Sequence, residues 1–375
     1  MSTLGLYFHI PFCVKKCNYC DFLSFPADEA LKDAYVKALA MEMRLWKDKV
    51  SNDVVDTIFI GGGTPSLLAE GQFDILQNEM VKSFHFADKM EYTIECNPGT
   101  VDAEKLKNYK RAGINRISFG LQSTVPSELA CLGRIHSYDD FLVSFYQARE
   151  CGFANINVDL MSAIPEQTVA GYEQTLTRVC ELSPEHISSY SLILEEGTPF
   201  YEKYGDCPPV SEEEDRQMYE LTKEKLLDFG YHRYEISNYA KEGKECEHNK
   251  KYWKRFPYLG LGLGASSCMQ NVRFSNERNF KTYAQKIKNG NLPVVEKEEL
   301  TKEDCMAEFM YLGLRMMEGV SKKMFYQNFL VPMETYYQSS LEKCIREGLI
   351  EENGDRYCLT DFGIDVSNRV FAEFI

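Results

Sequence analysis

The sequence predicts an α/β protein: a partly open (β/α)6 barrel in its first half, with a small winged-helix-like domain at the C-terminal end. Three observations carry this. Between about residues 4 and 193, six short runs rich in β-branched and aromatic residues alternate with segments of helical period, the pattern of parallel βαβ units. Residues able to do chemistry gather at the ends of those runs, where α/β folds place their sites. From about residue 300 the pattern changes to helices followed by a hairpin. Six units are too few to close an eight-stranded barrel, and a doubly wound open sheet is the alternative that periodicity leaves open.

The elements follow in order. Leu4–Ile10 is an apolar run halted by Pro11, a buried strand. Leu31, Tyr35, Leu39, Met43 and Trp46 fall at helical spacing within about residues 28–49. Val54–Ile60 is a strand that runs into Gly61-Gly62-Gly63-Thr64-Pro65-Ser66, and a helix follows over about 69–83. Glu91–Cys96 and Asn115–Phe119 are strands separated by a helix over 102–112. A helix over 138–150 leads to strand Asn155–Leu160, and a helix over 168–181 leads to strand His186–Ile193. Next, Ser211 and the acidic run Glu212–Glu214 read as a capped helix start reaching about Asp228, and Tyr234–Asn238 reads as extended. Helices are expected over 303–317, 324–329 and 335–347, then a hairpin turning at Asn353-Gly354. The domain division expected is 1–195, 196–295 and 296–375.

Bulk properties narrow the function. A chain of 375 residues with 44% hydrophobic and 26% charged content is that of an ordinary globular protein with more than one domain. A net charge of −15 argues against nucleic acid. Residues 301–375 carry eight Lys/Arg and thirteen Asp/Glu, a net of −5, so the winged domain is not expected to bind DNA. Thirteen cysteines without paired spacing, no signal sequence and no long apolar stretch point to a reducing cytosol.

The chemistry centres on Cys13-x3-Cys17-x2-Cys20, on the loop after the first strand. Three thiolates on a four-iron cluster leave one iron open to a small molecule, whereas most such clusters take four cysteines. Zinc, with His9 as a fourth ligand, and simple packing are the alternatives. Gly61–Pro65 lets backbone approach a ligand closely, although a tight strand-to-helix turn would explain it too. It lacks the Lys-Ser/Thr pair of a phosphate loop.

Tyr7-Phe-His-Ile-Pro-Phe-Cys13 through Tyr19-Cys20 resembles the cluster loop of radical S-adenosylmethionine (SAM) proteins, and more narrowly that of the oxygen-independent coproporphyrinogen III oxidase family. The resemblance implies a [4Fe-4S] cluster on Cys13, Cys17 and Cys20 with SAM at the open iron. It implies SAM contacts from Gly62, Gly63, Thr64, Glu95, Gln122, Arg134 and Asp159. Tyr7 and Tyr19 flank the cluster, and for each core packing is an equal reading. His248-Asn-x-x-Tyr252-Trp253 resembles a signature of the haem-chaperone branch, which implies His248 as a haem ligand. On chemistry alone, a histidine hydrogen-bonded at a helix start, with aromatic neighbours in the core, explains the same residues.

Two departures favour the chaperone over the oxidases. Phe22 stands where the oxidases carry another cysteine, and the first strand begins near Leu4 without their N-terminal extension. The resemblance implies haem as cargo, a haem-acceptor protein (a respiratory haem protein at the membrane among the candidates), and a place in the cytoplasm or peripherally at the membrane. It leaves monomer or homodimer open. The alternative is the oxidative decarboxylation of coproporphyrinogen III, and the sequence assigns no catalytic residue.

Overall fold

In the computed structural model, which describes residues 3–205 and 207–375, six parallel strands stand side by side in chain order. The series is β1 (Thr3–Ile10), α1 (Glu29–Lys47), β2 (Val54–Gly62), α2 (Glu70–Ser83), β3 (His85–Cys96), α3 (Ala103–Arg111), β4 (Arg116–Gln122), α4 (Pro126–Leu132), α5 (Tyr138–Glu150), β5 (Ile156–Ser162), α6 (Val169–Glu181) and β6 (His186–Ser191). There follow α7 (Pro199–Tyr204), α8 (Glu212–Asp228), β7 (His232–Arg233), β8 (Asn238–Ala240) and α9 (Glu247–Trp253). Then come β9 (Tyr258–Leu261), β10 (Ser266–Met269), β11 (Val272–Asn276), α10 (Phe280–Lys288) and β12 (Val294–Glu299).

The twelve strands pair in the order β12-β11-β10-β9-β1-β2-β3-β4-β5-β6-β8-β7. Through β1 to β6 that order never reverses. Every crossover therefore advances the sheet the same way, and the sheet curls around an axis; a doubly wound sheet would reverse at a switch point. The barrel stays open because β9 flanks β1 and β8 flanks β6. The sheet also carries on through residues 196–299, so that segment extends the barrel wall.

Side chains alternate along each strand. Leu6, Phe8, Ile58, Ile60, Ile94, Ile117, Phe119, Val158 and Ile187 are buried in one core together with Tyr35, Leu39, Met43, Leu76, Leu106, Phe141 and Leu176 of the surrounding helices. The opposite face, which lines the barrel interior, carries Tyr7, Phe59, Glu95, Ser118, Asn157, Asp159 and Ser188. A closed eight-stranded barrel fills its centre with Val, Ile and Leu. This one keeps a polar centre.

Several elements differ from the sequence expectation. β3 starts at His85 rather than Glu91; its first half is only partly buried and shows no clean apolar alternation. β4 runs on through Gln122. The short helices α4 and α7 were not expected; each opens on a proline and spans under two full turns, too short for a periodic signal. Of the expected stretch Tyr234–Asn238, residues 234–237 link β7 to β8, with a bridge from Glu235 to Met316, and Asn238 opens β8. Glu95 and Asp159 lie within β3 and β5, near their C-terminal ends.

Glu42 of α1 ties the strand extension to the barrel. It is fully buried and accepts from Gly262 N (2.8 Å), Asn276 Nδ2 (2.7 Å) and Tyr283 Oη (2.5 Å). Burial pushes its carboxyl up to about 7.

The last segment has its own core. It comprises α11 (Lys302–Gly313), β13 (Val320–Ser321), α12 (Lys322–Phe329), α13 (Met333–Arg346), β14 (Ile350–Asn353), β15 (Arg356–Leu359), α14 (Asp361–Asp365) and α15 (Ser367–Phe371). The hairpin of β14 and β15 turns at Gly354, as expected, and three helices with a small antiparallel sheet make the winged-helix arrangement. Among the described residues, no helix is long and apolar enough to cross a membrane.

Candidate functional site

The cysteine loop is closed at its stem by two backbone bonds, Cys13 N to Phe25 O (3.1 Å) and Phe25 N to Pro11 O (2.9 Å). Asn18 anchors its far side. Its N donates to Leu132 O (3.0 Å), its Nδ2 to Cys131 O (2.8 Å), and its O accepts from Phe200 N (3.0 Å). The two helices that sequence periodicity missed, α4 and α7, are therefore the ones that hold the loop over the barrel.

The glycine loop after β2 is built against the same loop. Gly63 N donates to Ile10 O (2.8 Å) and Thr64 N to Phe12 O (2.7 Å). Gly62 has φ +111°, and a Cβ there would lie 2.7 Å from the His9 ring, so only glycine fits. Gly62 N donates to Glu95 Oε2 (3.1 Å). Burial, reinforced by the nearby Asp159 charge, pushes the Glu95 carboxyl up to about 8. Asp159 accepts from Ser118 Oγ (3.1 Å) and Asn157 Nδ2 (2.7 Å), and burial raises its carboxyl as well.

All but two of the residues singled out from sequence line one cavity of about 140 Å3: Cys13, Cys17, Cys20, Tyr19, Gly62, Gly63, Thr64, Glu95, Gln122, Arg134 and Asp159. Arg134 places Nη1 3.6 Å from Cys17 Sγ and donates from Nη2 to Asn97 Oδ1 (2.8 Å) and Gly120 O (2.5 Å). Cys13 Sγ lies 3.7 Å from Thr64 Oγ1. Gln122 closes β4 with φ +72°, a left-handed conformation costly for a residue with a Cβ, next to a register shift between β4 and β5. Asn97 was missed from sequence, where it read only as a strand end. Its Nδ2 donates to Thr64 Oγ1 (2.9 Å), and it thereby bridges the glycine loop to Arg134.

Tyr7 and His248 line a deeper cavity of about 200 Å3, which shares Glu95 and Asp159 with the first. Tyr7 Oη is 3.0 Å from His9 Nδ1, and His9 Nε2 is 2.8 Å from Leu23 O. Both nitrogens of His9 are thus engaged within the protein, which removes it as a zinc ligand. Among the described residues no three His, Cys, Asp or Glu side chains are placed to hold a single ion. A four-iron cluster makes no such demand, since each thiolate takes its own iron. Three thiols beside a cavity walled by a carboxylate, a guanidinium and close-approach backbone fit a cluster with SAM against it.

Helix α9 closes the barrel floor. Glu91 accepts from Glu247 N (2.9 Å) and His248 N (3.0 Å), so a β3 carboxylate satisfies the helix start. His248, Asn249 and Tyr252 face the inner cavity, whereas Glu247, Lys250 and Lys251 face an outer groove. His248 is fully buried, with Nδ1 2.9 Å from Thr57 Oγ1 and Nε2 2.8 Å from Tyr252 Oη. Burial, then the charges of Lys251 and Arg116, lower it to about 3, so the ring is neutral.

Comparison with known proteins agrees with this geometry. A family profile described as the Radical SAM superfamily matches residues 7–179, and one described as the HemN C-terminal domain matches residues 300–366. The chain is 38% identical over 374 residues to the heme chaperone HemW of Bacillus subtilis, covering 98% of each. It is 34% identical to the heme chaperone HemW of Escherichia coli, covering 100% of this chain and 99% of that one. The solved structure of E. coli coproporphyrinogen III oxidase (HemN), titled as a radical SAM enzyme, shares the fold with a TM-score of 0.89 at 23% identity, covering 100% of this chain and 90% of that one.

Proposed function

Because this chain belongs to the heme chaperone HemW family of the radical SAM superfamily, we propose that it binds haem and passes it to an acceptor protein. The observation that carries this reading is full-length identity to proteins of that name, together with a rim that keeps the three cysteines and the groups around them.

When bound, a [4Fe-4S] cluster and SAM would supply one-electron chemistry at the open iron. Cys13, Cys17 and Cys20 would hold the cluster. The Glu95 carboxylate and the Gly62–Thr64 backbone would take the ammonium of a SAM methionyl group, and Arg134 a carboxylate. The cluster and SAM would take the barrel interior at the cysteine loop, so haem would sit at the rim outside it. Large apolar side chains stand exposed on loops of the cluster rim: Val14 and Phe22 of the cysteine loop, Ile135 after α4 and Ile193 after β6. Exposed apolar groups around a site suit a flat macrocycle.

The test is an anaerobic haem titration of the cluster-loaded chain, beside Phe22→Asp and His248→Ala. Saturable one-to-one binding, weakened in Phe22→Asp, is expected. His248 is the sequence-derived axial ligand, but its buried double hydrogen bond favours a floor role, so binding is expected to persist in His248→Ala. Absence of saturable binding in the wild type overturns the chaperone reading, and decarboxylation of coproporphyrinogen III is then assayed.

A further inference from the structure

The floor of the inner cavity carries a cation without a partner. Arg116 opens β4, is 2% exposed, and is among the largest fully buried side chains of the protein. Its Nε has no hydrogen-bond partner, and among the described residues no carboxylate lies within ion-pair distance of its guanidinium. A buried cation without a direct partner is costly, and here Glu91 and Asp159 act on it only through space, which keeps it charged.

The acidic groups nearest to it are engaged elsewhere. Glu91 holds the start of α9, Asp159 is held by Ser118 and Asn157, and Glu95 accepts from Gly62 N. The neighbouring histidines do not accept from it either. His186 is bonded to Asn157 Oδ1 (2.6 Å) and Tyr234 Oη (2.8 Å), and His248 to Thr57 and Tyr252. Arg116 lines the cavity of about 200 Å3 together with the Asn249 amide.

We propose that this cavity binds a small carboxylate anion, seated on Arg116 at the barrel floor beneath the rim site. The planar guanidinium fork matches a carboxylate in bidentate fashion. The volume equals the share of roughly six or seven waters at about 30 Å3 each, which admits an anion of a few heavy atoms and excludes nucleotides and macrocycles. Asp159 and Glu95 stand at the opposite, rim end of the cavity and confine the anion to the floor. Burial pushes the Glu95 carboxyl up to about 8 and raises that of Asp159 as well, which lessens the negative charge at the rim end at neutral pH. The site does not rest on the haem reading.

The test uses the cluster-loaded full chain with excess SAM, so that a carboxylate cannot compete for the cluster. Carbon-13-labelled formate and acetate are titrated while their line widths and the thermal midpoint are followed. Saturable broadening with a rising midpoint is expected, about tenfold weaker or more in Arg116→Gln and only partly restored in Arg116→Lys, which keeps the charge but not the bidentate fork. Asn249→Leu, which narrows the cavity from α9 and leaves the guanidinium in place, should weaken binding too. No saturable effect in the wild type, or one that survives Arg116→Gln, overturns the site. Wild-type crystals soaked in formate read the same question without a variant: planar density on Arg116 supports the site, and water alone overturns it.

Discussion

Arg134 lies with its Nη1 3.6 Å from the sulfur of Cys17, across 117 residues of chain. The same guanidinium holds Asn97, which holds Thr64 of the glycine loop. The cysteine loop and the rim of the barrel are therefore one hydrogen-bonded unit. A ligand spanning both would meet a preorganised wall.

Replacing Cys17 by Ala should abolish the cluster, because two thiolates on this loop cannot hold it. Iron content and visible absorbance of anaerobically reconstituted protein should fall to background. A variant that keeps full iron and an unchanged absorbance band would refute the ligand assignment.

Arg134→Met should keep the fold and weaken SAM binding. Losing one charge-assisted hydrogen bond costs about 1.5–3 kcal/mol, or roughly ten- to a hundredfold in affinity. Calorimetric titration reads this directly, and an unchanged constant would remove Arg134 from the site.

SAM affinity should peak near pH 8. Glu95 holds its proton up to about 8 in the free protein, so a ligand ammonium gains its carboxylate partner only as pH rises toward that value. Between pH 6.5 and 8 the gain is roughly tenfold. Above pH 8 the α-amino group of the ligand itself deprotonates and affinity declines. Glu95→Gln should bind more weakly and lose the rising limb; a rising limb that persists in the variant would assign the titration to another group.

His248 should make the fold acid-sensitive. Its folded pKa, about 3, lies below the ordinary 6.5. The unfolded chain thus takes up a proton that the folded one refuses, and stability is lost as pH falls through 6.5. By pH 5 the loss from this residue alone is about 2 kcal/mol. Denaturant unfolding at pH 7.5 and pH 5 should show it. His248→Ala should start lower at pH 7.5 and fall less, and an unchanged slope would show that the ring is protonated in the fold.

The barrel was legible because its alternation is clean. Leu6-Tyr7-Phe8-His9 and Val158-Asp159-Leu160 each write an apolar outer face and a polar inner one in consecutive letters. The rim residues were legible through glycine and cysteine spacing. Arg116 was not, because an arginine opening a strand looks like any solvated strand start. Its signal was positional: it is the inner-face partner, two residues earlier, of Ser118, in register with Thr93 of β3. The helices α4 and α7 escaped for lack of length. His248 was noticed for its neighbours, yet its job depends on Thr57 and Glu91, which no local pattern connects to it.

The position of β9 beside β1 bears on how the protein is made. The outer edge of the first strand finds its partner only at Tyr258–Leu261, and the floor helix arrives only at Glu247–Trp253. A ribosome must therefore deliver more than two-thirds of the chain before that edge is covered and the barrel floor is shut. Until then the nascent protein presents an unpaired strand and an open polar centre, a long-range closure that slows folding and leaves it open to misassociation. The stretch from 247 to 261 is thus the lock of the barrel as well as part of its wall. Arresting translation just before and just after it, with protease as the readout, would show the barrel passing from cleavable to resistant within those few residues.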